Sequence, residues 1–305
     1  MMLVLGVDAG GTASRAVVAA ADGTVVGRGH AGPGNPTTAG PAAARAIGTA
    51  VREALGDHEP AAVAAGVVGV AGAGITADPR IAAAFAHEWA AAGLTCPITV
   101  IGDAVTAFAA GTAAPSGAVL IAGTGAVAAH IGDWRIGRTA DGLGWLLGDE
   151  GSGLWLGLRA VRSAARAWSA PAAPAGLAAG IAAHAGVDSR DALVHWAGSR
   201  EPAAFAALAP LVCAAAAAGD PLAERLTAEA GARLAATLAE LGPPSGPVVL
   251  AGSLLTRDTP VRAAVLAAVP APVTTSRDPA AGAAWLALRT ITDPERAARL
   301  HARMI

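Results

Sequence analysis

The sequence predicts an α/β protein of two lobes, each a mixed sheet with helices on both faces, with a cleft between the lobes. Strand-like segments alternate with helix-like segments, a pattern typical of parallel pairing and of helices covering both faces of a sheet. The same order of elements occurs twice in 305 residues. A chain of that length favours two domains.

The first half opens with three strand-like segments, LVLGVDA, SRAVVAA and TVVGRGH, the last following an Ala-Asp-Gly turn. An amphipathic helix follows and ends at Gly56. The apolar strand AAVAAGVVGVAG, a helix near PRIAAAFAHEWAAAG and the strand PITVIGD come next and lead into another helix. We therefore place an N-terminal lobe at residues 1–115.

The pattern restarts at Ser116, where GAVLIAGTGAVAAHIGDWRIGR predicts three strands joined by two turns. Several helices follow, with a loop expected at 168–180, and then the strand PVVLAGS, a helix, the short strand PVTTS and the helix PAAGAAWLALR. We place a C-terminal lobe at residues 116–292. Residues 293–305 predict a closing helix, since Asp293 suits an N-cap and Pro294 the first helical position. This helix could belong to either lobe, and we group it with the N-terminal one.

Composition excludes several classes of protein. The net charge of -2 provides no basic surface for nucleic acid or anionic lipid. The sequence contains no lysine, so it has neither the P-loop lysine nor the strand lysine of protein kinases, and no amine for a Schiff base.

The two cysteines, Cys96 and Cys213, are far apart and lie in no metal-binding motif, which favours a reducing cytoplasm. We expect no signal peptide, because no basic segment precedes an apolar one near Met1. The uncharged stretch 104–132 is interrupted by Pro115 and several glycines, and its AVLIAG segment reads as a buried strand, so we expect no membrane partner.

Two glycine turns occupy matching positions in the two halves, Gly10–Thr12 and Gly123–Gly125. Glycine lets backbone N–H groups approach a phosphate without an intervening Cβ, and the threonine hydroxyl adds a donor. Either turn alone is also common in ordinary hairpins. The matched pair predicts a clamp on the phosphates of a nucleotide, with Asp8 holding Mg²⁺ through water and Arg15 adding positive charge.

Five motifs in order, VDAGGTASRA, IGDAVTA, LIAGTGAVA, LLGDEGSG and VVLAGSLL, resemble the successive motifs of the N-acetylglucosamine kinase family. That family lies in the BadF/BadG/BcrA/BcrD-type ATPase branch of the actin-like, sugar-kinase and heat-shock-chaperone superfamily. The motifs cover nearly the whole chain, and GDEGSG is the most specific. The resemblance implies two ribonuclease H-like (actin-like ATPase) lobes, the cofactors ATP and Mg²⁺, and a homodimer.

The resemblance also implies roles for individual residues. Asp8 would hold the metal. The residues implied in nucleotide binding are Gly10, Gly11, Thr12, Arg15, Gly123, Thr124, Gly219, Gly252 and Ser253. The residues implied in binding the sugar are Asn35, Asp103, Gly125, Ala126, Leu143, Gly144, Asp149 and Glu150.

Asp103 is the candidate catalytic base, because it ends the strand ITVIG and opens a helix, at the edge of a parallel sheet where active sites collect. Its simpler role is that of an N-cap, and both roles are compatible. Asn35 could equally mark a turn, and Asp149 with Glu150 could be the acidic start of a helix.

The expected activity is phosphorylation of N-acetylglucosamine to its 6-phosphate. Family members often carry Trp where this chain has Leu143, with Trp145 two residues later, so glucosamine is an alternative substrate. Its amine would need Asp141 or Glu150 as an acidic partner. An acyl-CoA dehydratase activator would need closely placed cysteines for an iron–sulfur cluster, and the placement of Cys96 and Cys213 does not suit one. A sugar-responsive repressor would need a helix-turn-helix ahead of the first strand, where we expect none.

Overall fold

The computed structural model describes residues 1–72, 74, 78–169 and 174–305. The first sheet has five strands in the order β3-β2-β1-β4-β5. They are β1 (Leu3–Ala9), β2 (Ser14–Ala20), β3 (Val25–Ala31), β4 (Val63–Val70) and β5 (Ile98–Gly102). Strand β2 is antiparallel to β1 and β3, while β4 is parallel to β1 and β5. The predicted mixed sheet is therefore confirmed.

The second sheet has five strands in the order β10-β9-β6-β7-β8. They are β6 (Gly117–Ala122), β7 (Ala126–Gly132), β8 (Arg135–Asp141), β9 (Val248–Ala251) and β10 (Val273–Thr275). Strands β6 to β10 occupy the same relative positions in the second sheet that β1 to β5 occupy in the first. The predicted repeat of one plan in the two halves is confirmed.

Helices follow the three-strand meander of each half. Those of the first half are α1 (Pro36–Ala39), α2 (Ala42–Leu55), α3 (Pro79–Ala91) and α4 (Asp103–Ala109), with a 3₁₀ turn at Pro60–Ala62. Those of the second half are α5 (Gly153–Ala167), α6 (Gly176–Ala185), α7 (Arg190–Gly198), α8 (Pro202–Ala206), α9 (Ala209–Ala217), α10 (Pro221–Ala239), α11 (Ser253–Thr256), α12 (Pro260–Ala268), α13 (Pro279–Arg289) and α14 (Pro294–Met304).

The loop expected at 168–180 is partly wrong, because α6 begins at Gly176. The Asp220 carboxylate accepts a hydrogen bond of 2.7 Å from the Leu177 N–H and so caps the first turn of this helix. Sequence reasoning could not see that long-range cap. Residues 170–173 of the expected loop lie outside the described residues.

The chain forms two compact units, which we call unit 1 and unit 2. Unit 1 contains Met1–Val119, Ile131–Gly137 and Thr274–Ile305, and unit 2 contains Leu120–His130 and Arg138–Val273. Helices α13 and α14 thus pack with the first sheet although they follow the second in sequence. The domain division into 1–115 and 116–292 remains a prediction.

Helices cover both faces of the first sheet. On one face α2 packs so closely that a Cβ at Gly29 would come within 1.9 Å of the Ala50 carbonyl oxygen. On the other face α13 approaches β1, where a Cβ at Gly6 would come within 2.0 Å of the Ala284 nitrogen. These close approaches require glycine, and they let the helices shield the central strands from water.

The closing helix α14 begins as predicted, with Asp293 as N-cap and Pro294 in the first turn. It packs on α13 within unit 1, where the Trp285 indole N–H donates to the Ala297 carbonyl at 2.7 Å. The His301 ring stands edge-on to Trp285, with 4.8 Å between ring centroids.

Among the described residues, no single helix is both long and apolar enough to cross a membrane. One pair of helical segments, Pro202–Ala217 and Pro221–Ala239, passes the same test together on length and composition, with a bend of 117° between them.

Candidate active site

Asp8 lies near the carboxyl end of β1, on the sheet face that packs against α4 and α13. Its side chain is 17% exposed, and its closest cationic partner is the Arg15 guanidinium on β2, at 3.8 Å. Burial raises the pKa of Asp8 to about 7, with repulsion from Asp103 and Asp278 adding to the shift and Arg15 opposing it. A carboxylate in this setting is under-neutralised and suits a bound cation.

Asp103 is the first residue of α4, directly after β5 ends at Gly102. The predicted position between strand and helix is confirmed, but the N-cap is Gly102, so the simpler role proposed for Asp103 is wrong. Burial raises the pKa of Asp103, opposed by hydrogen bonds from its own N–H and that of Ala104. A raised pKa brings a carboxylate closer to the range useful to a general base.

The strand register brings Asp8 and Asp103 to the same edge of the first sheet. Asp8 lies opposite Gly69 on β4, and Gly69 lies opposite Ile101 on β5. A Cβ at Gly69 would come within 2.3 Å of the Thr106 hydroxyl oxygen, so only glycine lets α4 lie this close to the strand. The two carboxylates repel each other strongly enough to affect the pKa of Asp8.

The first glycine turn is open. The Gly10 N–H donates to the Ala13 carbonyl at 3.0 Å, and Gly11 and Thr12 are exposed. A Cβ at Gly11 would meet nothing within 4 Å, and Gly11 is not among the residues with positive φ. Neither packing nor backbone strain therefore explains this glycine, and the exposed backbone is accessible to a ligand.

Asn35 is tied to this turn through its neighbour, since the Gly34 N–H donates to the Gly10 carbonyl at 3.0 Å. Its own side chain is the N-cap of α1, where Oδ1 accepts from the Thr37 N–H at 2.8 Å. The cap occupies the oxygen and leaves the amide nitrogen as the group that could reach a sugar hydroxyl.

The second glycine turn, in unit 2, is hydrogen-bonded to the start of α5. The Gly123 N–H donates to the Gly125 carbonyl at 2.9 Å, while the Gly123 carbonyl accepts from the Gly153 N–H at 2.8 Å. The Thr124 carbonyl accepts from the Leu154 N–H at 3.2 Å. The first turn of α5 thus fixes the backbone of the turn and leaves the Thr124 side chain exposed.

Gly252 and Ser253 lie beside this turn. A Cβ at Gly123 would come within 4.0 Å of the Ser253 nitrogen, and Gly252 has a φ of 80° against the end of β6. The structure therefore brings together two motifs that sequence reasoning assigned to one nucleotide site.

Asp149 also faces the second turn. Its Oδ1 accepts from the Ala126 N–H at 2.9 Å, and a Cβ at Gly125 would come within 2.7 Å of the same oxygen. Burial raises the pKa of Asp149, opposed by the Ala126 hydrogen bond, with repulsion from Asp141 adding a smaller part. Asp149, Gly125 and Ala126 thus form one group.

Asp141 and Glu150, the acids predicted as partners for a free amine, already have hydrogen-bonding partners in the protein. The Asp141 carboxylate accepts from the backbone N–H groups of Asp149 and Glu150, at 2.7 and 2.8 Å. The Glu150 carboxylate pairs with the Arg233 guanidinium at 2.5 Å. Both carboxylates are therefore engaged by groups of the protein itself.

Leu143 and Gly144 lie in an exposed segment between β8 and Asp149. Leu143 is 64% exposed, and Gly144 has a φ of 79°. Trp145 lines a cavity of about 260 Å³ in unit 2. Its other lining residues are Leu154, Leu158, Arg200, Glu201, Pro202 and Phe205.

Gly219 separates α9 from α10 with a φ of 84°, and a Cβ there would meet nothing within 4 Å. The next residue, Asp220, caps α10 by accepting from the N–H groups of Leu222 and Ala223, each at 2.9 Å. The local role of Gly219 is to allow the chain to turn between these helices.

Metal ligands are sparse in the described part of the chain, which contains no group of three or more His, Cys, Asp or Glu residues arranged to hold an ion. Asp8 alone fits the predicted role, because Mg²⁺ is commonly held by one or two carboxylates, substrate phosphates and several waters. The geometry supports this fit, since the Asp8 carboxylate is largely buried and the Arg15 guanidinium lies as far as 3.8 Å from it.

Comparison with protein families shows which family the chain belongs to. Residues 5–287 match the model of the BadF/BadG/BcrA/BcrD ATPase family. The chain belongs to the BadF/BadG/BcrA/BcrD ATPase family. The resemblance read from the five sequence motifs is thereby confirmed at family level, and the family is one of ATPases.

One curated relative of this chain is an N-acetylmuramic acid/N-acetylglucosamine kinase from Clostridium acetobutylicum. The two sequences are 30% identical over 176 residues, which is 55% of each chain. The match thus spans about half the length of the relative.

Several solved structures match this chain over nearly its whole length. A candidate N-acetylglucosamine kinase from Chromobacterium violaceum is 27% identical, with a TM-score of 0.75 over 94% of this chain and 99% of that one. A second candidate kinase of that name, from Porphyromonas gingivalis, has a TM-score of 0.68 at 20% identity over the full length of both chains. A ROK family glucokinase from Streptomyces griseus has a TM-score of 0.58 at 23% identity, covering 93% of this chain and 99% of that one. The last two support the two-sheet actin-like fold alone.

Sequence reasoning missed three features of this family member's site. Gly153 must be glycine, because a Cβ there would come within 2.9 Å of the Gly123 carbonyl oxygen. Asp141 holds the backbone that carries Asp149, and Arg233 holds Glu150. Gly153 stands in the quoted GDEGSG motif and could have been found, whereas the link to Arg233 spans 83 residues and leaves no local signal.

Proposed function

We propose that this chain is an ATP- and Mg²⁺-dependent amino-sugar kinase that converts N-acetylglucosamine to N-acetylglucosamine 6-phosphate. One observation carries the proposal: Asp103 opens α4 at the sheet edge where Asp8 also lies, and both carboxylates have raised pKa values. A general base next to a metal-binding carboxylate is what phosphoryl transfer to a hydroxyl requires. Kinases of related name among the matched proteins support the same activity.

In the proposed reaction Asp103 accepts the proton of the sugar 6-hydroxyl. The oxygen then forms a bond to the γ-phosphorus of ATP while the bond from that phosphorus to the β–γ bridging oxygen breaks, and ADP leaves. Mg²⁺, when held by Asp8, would neutralise charge on the phosphates. Arg15 adds positive charge beside Asp8, since this chain has no lysine for that task.

The glycine turns are assigned to the phosphates. In unit 1 Gly10, Gly11 and Thr12 take this role, since the exposed backbone of Gly11 and Thr12 is accessible to a phosphate, while Gly10 holds the turn by donating its N–H to the Ala13 carbonyl. In unit 2 Gly123 and Thr124 take the corresponding role, with Gly252 and Ser253 next to them and Gly219 assigned to the nucleotide as well.

The sugar is assigned to polar groups that the sequence motifs carry. Asn35 offers its amide nitrogen, and Asp149 offers a carboxylate oxygen to the ring hydroxyls. Gly125, Ala126, Leu143, Gly144 and Glu150 complete the assignment. N-Acetylglucosamine is favoured over glucosamine because Asp141 and Glu150 already have hydrogen-bonding partners. A homodimer and a cytoplasmic location remain predictions.

The test is release of ADP from Mg·ATP in the presence of N-acetylglucosamine, glucosamine, N-acetylmannosamine, glucose or no sugar. The variant is Asp103→Asn, which keeps the size of the side chain and removes the base. We expect release that depends on N-acetylglucosamine and falls at least ~100-fold in the variant, the typical contribution of a general base.

The matched control is Asp78→Asn, another aspartate at the start of a helix in unit 1, whose Oδ1 accepts from the Arg80 N–H. Its activity should stay close to that of the wild type. Release of ADP without any sugar, unaffected by Asp103→Asn, would contradict the kinase and indicate an ATPase coupled to another protein.

A further inference from the structure

Asp141 closes the base of a short loop in unit 2. It is the last residue of β8 and has a φ of 58°. Its Oδ1 accepts from the Asp149 N–H at 2.7 Å, and its Oδ2 accepts from the Glu150 N–H at 2.8 Å. One carboxylate thus ties the strand end to both residues that follow the loop 142–148, through hydrogen bonds that its charge strengthens.

The loop is shaped to admit this carboxylate. A Cβ at Gly148 would come within 2.1 Å of the Asp141 Oδ1. Gly148 is not among the residues with positive φ, so the need for glycine comes from the carboxylate and not from backbone strain. The sequence therefore provides both the anchoring acid and the space that it occupies.

The anchored backbone determines the direction of the Asp149 side chain. Asp149 has a φ of 58°, a conformation that few non-glycine residues adopt without support. From that position its Oδ1 accepts from the Ala126 N–H at 2.9 Å. Among the described residues no donor reaches its Oδ2, which leaves this oxygen for a ligand.

Glu150 is held separately by Arg233, which also pairs with Glu229 at 2.9 Å on the surface of α10. Both arginines near Trp155 pack over its ring, with Arg233 at 5.1 Å and Arg159 at 5.4 Å from the centroid. The Glu150 carboxylate is therefore already paired, and Asp149 is the acid of this loop that can accept from a substrate.

We propose that Asp141 is a positioning residue for substrate binding, which holds Asp149 in the left-handed conformation that aims its free oxygen at the sugar hydroxyls. This inference rests on the proposed sugar kinase activity and deepens it. Both oxygens of Asp141 accept from backbone N–H groups that follow the loop, and Asp149 is the residue assigned to the sugar, so loss of Asp141 should weaken sugar binding more than nucleotide binding.

The test compares Asp141→Gly and Asp141→Asn in the full chain. Glycine adopts a φ of 58° at no steric cost but removes both acceptors. Asparagine tolerates the same φ and keeps one oxygen acceptor. The control is Asp133→Gly, an aspartate with a φ of 47° in the turn between β7 and β8, outside the candidate site.

Two readouts separate positioning from a general loss of structure. For Asp141→Gly we expect the KM for N-acetylglucosamine to rise about tenfold, because one to two charge-assisted hydrogen bonds are lost. The KM for ATP should change less than about twofold. Amide hydrogen exchange at Asp149 and Glu150, followed by NMR, should accelerate in the same variant. Asp141→Asn should fall between it and the wild type, and Asp133→Gly should match the wild type in both readouts.

Unchanged exchange at Asp149 and Glu150, or an unchanged KM for the sugar, in Asp141→Gly would overturn the inference. Failure of the proposed function gives a different result, because the wild type would then release no sugar-dependent ADP. In that case faster exchange in Asp141→Gly would still support the anchor, and unchanged exchange would overturn it.

Discussion

Gly252 lies against the backbone of Ala122, at the end of the strand that leads into the second glycine turn. A Cβ on Gly252 would come within 2.3 Å of the Ala122 carbonyl oxygen and 2.9 Å of its nitrogen. The φ of Gly252 is 80°, which a side chain also disfavours. Two independent constraints therefore require glycine beside the candidate nucleotide site.

Replacing Gly252 by Ala should destabilise unit 2 by about 2–5 kcal/mol, since backbone strain of ~1–2 kcal/mol adds to overpacking of ~1–3 kcal/mol. Urea unfolding measures the change. Gly219→Ala is the matched control, because Gly219 has a φ of 84° and no atom within 4 Å of an added Cβ. If both variants lose the same stability, the contact with Ala122 contributes nothing.

The fold was largely predictable from the sequence, because its signals are local. Alternating apolar residues and glycine turns define the strands, and Asp293 followed by Pro294 defines the start of α14. The packing of α13 with the first sheet was not predictable. It depends on close approaches such as that of Gly6 to Ala284, which join residues far apart in the chain.

The candidate site was predictable only at residues inside recognisable motifs. Asp103 and the two glycine turns belong to that group. The anchor formed by Asp141 does not, because it requires left-handed backbone at both Asp141 and Asp149, and no local pattern reveals that conformation. The same limit explains why Asp141 was considered as a partner for an amine.

His301 should make the stability of unit 1 depend on pH. Its Nε2 lies 2.7 Å from the Ala109 carbonyl oxygen, and burial lowers the pKa of the ring, opposed by hydrogen bonds to Ala109 and Thr112. The unfolded chain therefore binds a proton more readily than the folded one below pH ~6.5, so stability rises with pH there. The His301 contribution should be complete above that pH and lost as the pH falls towards the folded-state pKa.

The variant His301→Gln tests this dependence, because glutamine can still donate to Ala109 but does not titrate. Melting temperatures of both proteins are compared at pH 5 and pH 7.5, with His87→Asn, an exposed histidine on α3, as the control for loss of a histidine. We expect the wild type to lose more stability on acidification than His301→Gln. Equal losses would show that charging of His301 is not coupled to folding.

The cysteines should behave as inert thiols. Burial raises the pKa of both Cys96 and Cys213, which lowers the fraction of reactive thiolate at neutral pH. Alkylation by iodoacetamide, followed by mass spectrometry, should be at least about tenfold slower in the folded chain than in urea. The purified protein should also show no visible absorption from an iron–sulfur cluster. Rapid alkylation or a coloured protein would revive an electron-transferring ATPase as the function.

The fit between Gly148 and Asp141 can be measured as a coupling energy. Gly148→Ala alone should cost ~1–3 kcal/mol of stability, because its Cβ would collide with a carboxylate that three backbone N–H groups approach. In the Asp141→Gly background that carboxylate is gone, and the nearest remaining neighbour is the Leu143 Cβ at 3.1 Å. The same substitution should then cost at least about 1 kcal/mol less.

Urea unfolding of the two single variants and the double variant measures this coupling. Gly180→Ala, on α6, is the matched control, since its Cβ would make only ordinary contacts of 3.7 Å and longer with Leu211. Its effect should add to that of Asp141→Gly within ~0.5 kcal/mol, as expected for independent sites. Additive costs for Gly148→Ala and Asp141→Gly would mean that the loop does not depend on the carboxylate at Asp141. A coupling confined to this pair would indicate that Gly148 and Asp141 together hold Asp149 in place.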